Sequence, residues 1–180
     1  MKTIVIYKSK YGSTRNYAHW IAEELSCDAV DVSKIKADDL SEYDTIIYGG
    51  GLYAEVIAGV SIITKNIEKL KDKKIAIYTT GLTPPDCREY YDNLVVNKNF
   101  KTGISSNIKL FHYPGKMIVS ELSLVHRTAI KTLKKIMSDK KEPTEMEKML
   151  INLCDLDGDF SDRGLITELI EYVKSETQSN

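Results

Sequence analysis

The sequence predicts a doubly wound α/β domain, a five-stranded parallel sheet with helices on both faces, and two observations carry that prediction. Short apolar runs rich in β-branched or aromatic residues alternate with stretches of helical period. Parallel neighbours need crossover connections, so such alternation builds a sheet covered on both sides. The runs "TIIY" and "IAIY" are also apolar at successive positions, as strands buried on both faces are.

The five strands are expected at Thr3 to Tyr7, Ala29 to Val32, Thr45 to Tyr48, Ile75 to Thr79 and Ile108 to Phe111, in the order 2-1-3-4-5. Tyr17, Ala18, Ile21, Ala22 and Leu25 share one face of the first helix, and Val60, Ile63, Ile67 and Leu70 one face of the second. A less regular third helix follows Pro84 and Pro85. After the fifth strand the alternation breaks. Met117 to Ser138 is expected as one long helix with Ile118, Leu122, Val125, Ala129, Leu133 and Ile136 along one side, and a shorter helix after Pro143 carries Met146, Met149, Leu150 and Leu153. These form a helical insertion at about 114–160 within a single domain of 1–180. The last helix, with Ile166, Leu169, Ile170 and Val173 inward, is capped by Ser161 and Asp162.

With 42% hydrophobic and 28% charged residues and a formal net charge of -1, the composition is that of a soluble globular domain and gives no general signal for nucleic acid. Cys27, Cys87 and Cys154 form neither a CxxC pair nor a disulfide framework, which fits a reducing compartment. The opening "IVIY" is far shorter than a signal-peptide core and no run approaches the length of a membrane span, so a cytoplasmic protein is expected.

In an open parallel sheet, ligands bind beyond the carboxyl ends of the strands where the strand order reverses. Three loops meet there. In "SKYGSTR", Ser9, Ser13 and Thr14 offer hydroxyls and Gly12 a flexible backbone, beside the unpaired amides of a helix start; together these suit a phosphate. Taken alone, the loop serves equally as ordinary capping by Ser13. In "YGGGLYAE", consecutive glycines mark close approach or a sharp turn, and Tyr53 either stacks on a planar ligand or faces water. In "TTGLTPP", backbone donors are placed to meet the polar edge of a flat heterocycle.

Competing motifs fail on their details. Gly49, Gly51 and Ala54 match a dinucleotide fingerprint, but after the third strand and with no acidic residue ending the next. The phosphate-binding GxxxxGK[ST] is absent, the first loop lacks a phosphatase cysteine, and Lys8 and Gly49 stand where a receiver domain needs acids. "DLDGDFSD" lacks the glycine position and the twelfth-place Glu of a calcium loop, and a turn into the last helix is expected instead. His19, His112 and His126 show no metal-ligand spacing; His19 and His126 are expected as exposed helix residues, and His112 as a structural histidine at the end of the fifth strand. No general acid or base stands out, which suits chemistry carried by a cofactor.

These loops resemble the phosphate loop and two flavin-edge loops of the flavodoxin family. The resemblance implies FMN as cofactor, with Ser9, Lys10, Tyr11, Gly12, Ser13 and Thr14 around the phosphate and Gly50, Gly51, Leu52, Tyr53, Thr80, Gly81 and Leu82 around the isoalloxazine. Lys10 and Ser13 depart from the Thr and Asn usual there. The opening "MKTIVIY", "GGGLYAE", "HYPGKM" and "GDFSDR" further resemble the flavodoxin-like menaquinone-dependent protoporphyrinogen oxidases, although Tyr53 falls where that family implies arginine.

The resemblance therefore implies an electron carrier or small oxidoreductase with a redox protein or a quinone as partner. Quinone-linked protoporphyrinogen oxidation is one alternative and a flavin-free partner-binding module another. Lys8, Lys10 and Arg15 against Glu55 and Asp86 give no reason to expect a strongly depressed flavin potential. Between Lys109 and Lys141, basic residues outnumber acidic ones eight to two. Such a segment suits peripheral contact with an anionic membrane, an acidic partner, or a solvated face.

Overall fold

The computed structural model describes residues 2–101 and 103–175; the expected domain of 1–180 also takes in residues 1, 102 and 176–180, which lie outside the described residues. Its sheet is built from β1 (Thr3–Lys8), β2 (Asp28–Asp31), β3 (Thr45–Tyr53), β4 (Val56–Ile57), β5 (Lys74–Gly81) and β6 (Ile108–Pro114). The parallel order is β2-β1-β3-β5-β6, with β4 pairing antiparallel to β3. Without that short hairpin strand, this is the expected doubly wound order. The order reverses between β1 and β3, which sets the ligand crevice above their carboxyl ends.

Strand pleating divides the core into two layers. Ile4, Ile6, Ile46, Tyr48, Ile75 and Ile77 face one way, into a cluster with Leu40, Ile63, Tyr91 and Val95. Val5, Ile47, Ala76 and Tyr78 face the other, against Tyr17, Ala18 and Ile21 of α1 (Ser13–Leu25) and Leu169, Ile170 and Val173 of α6 (Thr167–Lys174). Each buried Ile, Leu or Val side chain among them contributes roughly 1.5–3 kcal/mol. Helix α1 stops because Ser26 turns left-handed at φ 51 and closes back on Ala22 and Glu23.

Two expected helices are less regular than their periodicity. The second divides into α2 (Ser61–Thr64) and a 3₁₀ turn at Ile67–Leu70. The β-branched Ile62, Ile63 and Thr64 favour helix weakly, and the Asn66 side chain donates to the Ile62 carbonyl, ending the α-helical ladder there. The third begins as a π-helical turn, Glu89–Val95, before α3 (Val96–Asn99); its inner side buries Tyr90, Tyr91 and Val95.

The long helix expected from Met117 starts seven residues later. Lys116–Met117 forms β7, which pairs with β8 (Gly158–Asp159), and α4 spans Leu124–Ser138 behind the cap Ser123. Ile118 and Leu122 therefore precede the helix, and Val125 and Ile136 face solvent. The apolar spacing runs unbroken through "IVSEL", so the sequence hides the break. Helix α5 (Glu145–Leu153) opens with a capping box between Thr144 and Glu147.

The aspartates of "DLDGDFSD" are used singly. Asp155 pairs with Lys134, Asp157 accepts from the Val119 amide, Asp159 from Ser161, and Asp162 caps the 3₁₀ turn Arg163–Ile166 that leads into α6. The segment is thus part strand and part turn. No helix among the described residues is long and apolar enough to cross a membrane.

Candidate functional site

The carboxyl ends of β1, β3 and β5 open into a cavity of about 540 Å³. The turn between β1 and α1 forms one end. Gly12 stands at the head of α1 with φ 103, a conformation that glycine adopts without a Cβ penalty, and no side chain caps the helix. The amides of Ser13, Thr14 and Arg15 have no hydrogen-bond acceptor among the described residues, and no acidic side chain sits in the first turn. The helix therefore presents free donors and its positive dipole end beside the cavity.

Ser13 does not cap the helix, which the sequence allowed. The Ser13 hydroxyl accepts from the Lys116 amide at 2.9 Å, and the Thr14 hydroxyl meets that of Thr80 at 2.7 Å. Ser9 accepts from the Gly12 amide. These bonds shape the loop and leave the first-turn backbone amides free for an anion.

The glycines of the second loop are strand residues. Gly49, Gly50 and Gly51 pair with Tyr78, Thr79 and Thr80. A Cβ on Gly49 would lie 2.1 Å from the Tyr78 ring, whose hydroxyl donates to the Thr14 carbonyl; a Cβ on Gly50 would lie 2.5 Å from Ile57, where the β3–β4 hairpin folds back. Close packing within the protein explains these two glycines. Beyond them Ala54 and Glu55, at φ 47 and 63, form the two-residue hairpin turn. Asn99 fixes it from outside, donating to the Glu55 carbonyl at 2.6 Å and accepting from the Ile57 amide at 2.9 Å.

Of the residues expected around a ligand, Ser9, Tyr11, Ser13, Thr14, Gly51, Leu52, Tyr53, Thr80, Gly81 and Leu82 line this cavity. Lys10 and Gly12 lie on the outer side of the loop, in a polar cavity of about 580 Å³ with Arg15 and Asp31; Ser9 and Tyr11 border both. Gly50 is buried away from both cavities. Tyr53 is half-buried, and burial, with the neighbouring Tyr11, pushes its phenol up to about 12.

The chain beyond β6 also contributes to the cavity. Gly115 donates to the Gly81 carbonyl at 2.8 Å, so the end of β6 closes the third loop. The α4–α5 pair then supplies an apolar wall through Ala129, Ile130, Leu133, Leu150 and Leu153. The only trace of that wall in sequence is the helical spacing of its leucines, which equally fits packing on the sheet.

His126 also lines the cavity, against the expectation of an exposed helix residue. Its Nδ1 lies 2.8 Å from the Tyr11 hydroxyl and its ring 5.0 Å from that of Tyr53. His112 stays off the cavity lining, bonded through Nδ1 to Thr79 at 2.8 Å and stacked 3.5 Å from Tyr91. Four of the basic residues at 109–141 are ion-paired: Lys109, Lys116, Lys134 and Lys140, with Glu168, Glu121, Asp155 and Glu147. Three of those acids lie outside 109–141 and fold back onto it.

Residues 4–144, well over half of the chain, match the family described as flavodoxin domain. The chain belongs to that family. A flavodoxin sheet and its three loops thus account for one side of the cavity, whereas α5 lies beyond the matched residues. Among solved structures the chain is similar to oxidised flavodoxin 2 from Bacillus cereus, at 20% identity and TM-score 0.43 over 62% of this chain and 84% of that one. It is also similar to a flavodoxin from the domain Archaea, at 13% identity and TM-score 0.41 over 86% and 97%. An uncharacterised protein of Methanocaldococcus jannaschii is 37% identical over 54 residues, 29% of this chain and 36% of that protein. The match spans little more than a third of that relative's length.

Proposed function

We propose that this flavodoxin-family protein binds FMN and acts in electron transfer, as a carrier or a small oxidoreductase. One observation carries the reading: an uncapped helix start with free amides at Ser13–Arg15 adjoins a cavity walled by Tyr53, Gly81 and Leu82. A phosphate suits the first and a flat ring the second. The bound flavin would supply the one- or two-electron chemistry. The chain's own work is to hold the phosphate on the α1 amides, to set the ring between the β3–β4 hairpin and the third loop, and to keep water from its apolar side with α4 and α5. That wall favours a small apolar electron partner, such as a quinone, over a docked protein surface.

Absorbance of the purified protein after FMN addition and removal of free flavin tests the reading. A retained flavin band near one equivalent supports it; none would leave the flavin-free partner-binding alternative. Arg15→Glu sharpens the test. Arg15 is exposed in the first turn of α1, where an acid favours the helix dipole but repels a phosphate. FMN affinity should fall by about tenfold or more, from a swing of two unit charges near the phosphate. Riboflavin, which lacks the phosphate, should bind as before, and an equal loss for both would remove the phosphate from α1. Turnover of protoporphyrinogen with a quinone by the loaded protein separates that specific oxidase from a general carrier.

A further inference from the structure

The cavity contains one imidazole, held by a hydrogen bond from the β1–α1 turn to the start of α4 and met by an aromatic ring from a third segment. Tyr11 comes from the β1–α1 turn, His126 from the first turn of α4 and Tyr53 from β3, with ring centroids 5.5 Å apart for Tyr11–His126 and 6.4 Å for Tyr11–Tyr53. The Tyr11 oxygen accepts from the Ser123 amide at 3.3 Å. Its own proton can go to Ser123 Oγ at 3.4 Å or to His126 Nδ1 at 2.8 Å, and the shorter contact has the geometry of the stronger bond. With Nδ1 as acceptor, the imidazole proton sits on Nε2. Nε2 has no partner among the described residues, on a ring that lines the cavity.

Resting on the FMN reading of this cavity, we propose that His126 is a further binding residue, fixed by Tyr11 in the tautomer with hydrogen on Nε2, and that it donates to a carbonyl oxygen of a flat, uncharged ring compound lying against Tyr53. The flavin ring and an apolar electron acceptor both offer that chemistry.

The surroundings keep the imidazole a donor without making it a cation. Burial, and then the charge of Lys10, hold His126 below the ordinary histidine range. Burial works to raise Tyr11, but its hydrogen bonds with Ser123, aided by Lys10, bring it below the usual phenol range, which makes it a better donor to Nδ1. The ring meets Tyr11 from the turn and Tyr53 from β3 and feels the charge of Lys10; Lys116 and Cys154 line the same cavity, Glu121 lies in the adjoining one paired with Lys116, and among the described residues no carboxylate is paired with the imidazole.

The first test uses ¹⁵N-labelled protein without flavin. Two-bond ¹H–¹⁵N correlations should show His126 neutral near pH 7 with hydrogen on Nε2, and Tyr11→Phe should convert it to a mixture of tautomers. Hydrogen on Nδ1, or a charged ring, overturns the assignment. The second compares wild type, His126→Leu and His126→Gln in titrations with FMN and then with 1,4-naphthoquinone, an uncharged two-carbonyl probe. Leucine should weaken one ligand at least fivefold, and glutamine, which keeps a donor near the Nε2 position, should restore most of it.

Loss of FMN affinity identifies the flavin carbonyl as the acceptor, and loss confined to naphthoquinone identifies a second ring. Unchanged affinity for both, or equal loss in the leucine and glutamine variants, overturns the proposal. If wild type takes up no FMN, the function reading fails by itself, and the naphthoquinone titration of the flavin-free protein still decides the role of His126.

Discussion

The hydroxyls of Thr14 and Thr80 lie 2.7 Å apart, both buried, and tie the first turn of α1 to the end of β5 across the cavity floor. Either oxygen can donate, but one must accept, so replacing one partner strands the other. Thr80→Val keeps shape and removes the hydroxyl. We expect about 1–3 kcal/mol lost in denaturant unfolding, the cost of an unsatisfied buried hydroxyl. The double variant Thr14→Val/Thr80→Val should lose less than the sum of the two single changes, and strict additivity would show that the pair does not interact.

Gly49 is where the sequence best concealed its reason. Its Cα pairs with Tyr78 in the sheet, and the Tyr78 ring occupies the space of a Cβ on the way to the Thr14 carbonyl. Gly49→Ala should destabilise by about 2 kcal/mol or more through overpacking. Tyr78→Leu in the same chain should recover part of that loss, because it removes the ring but keeps an apolar side chain. A harmless Gly49→Ala would mean the backbone yields at this point.

The β3–β4 hairpin holds two non-glycine residues at positive φ, so its shape depends on what clamps it. Asn99 supplies the clamp through Glu55 and Ile57. Asn99→Leu should cost about 1–3 kcal/mol by orphaning the partly buried Ile57 amide. Hydrogen exchange at Ile57 should accelerate more than that in β1. If the hairpin amides are as protected as before, Asn99 does not hold Tyr53 in place.

What the sequence disclosed was periodic or local: strands long enough to alternate faces, the α1 stripe, and loops of small residues at a single sheet edge. The features it hid depend on partners distant in the chain. The α4 start is set by pairing of Lys116–Met117 with Gly158–Asp159, and no periodicity marks a two-residue strand. Nothing in the spacing of the three histidines marks His126 as more than an exposed helix residue. It reaches the cavity because Ser123 starts α4 there and Tyr11, 115 positions away, meets its ring. The glycine run signals close approach, and at Gly49 and Gly50 the neighbours that fill the space of a Cβ are Tyr78 and Ile57. The apparent basic charge at 109–141 was similarly incomplete, since Glu147, Asp155 and Glu168 fold back onto it.

His112 gives a prediction with a defined pH window. It is half-buried, stacked on Tyr91, and bonded through Nδ1 to Thr79; burial, and then Arg88, press its pKa down to about 4. The ordinary histidine value, which the unfolded chain keeps, is about 6.5. Between those values the unfolded state binds the proton that the folded state refuses, so stability rises with pH across the window. The contribution is complete above about pH 6.5 and fades as pH falls toward 4, by roughly 3 kcal/mol in all. His112→Phe retains a ring for Tyr91 and cannot titrate. The variant should be less stable than wild type near neutrality, where the Thr79 hydroxyl loses its partner, and the gap should narrow or reverse toward pH 4. Urea midpoints at half-unit pH steps measure the difference between the two proteins, which cancels the carboxylates common to both. Parallel curves would mean that His112 titrates alike in the folded and unfolded chains, and its burial would then carry no electrostatic cost.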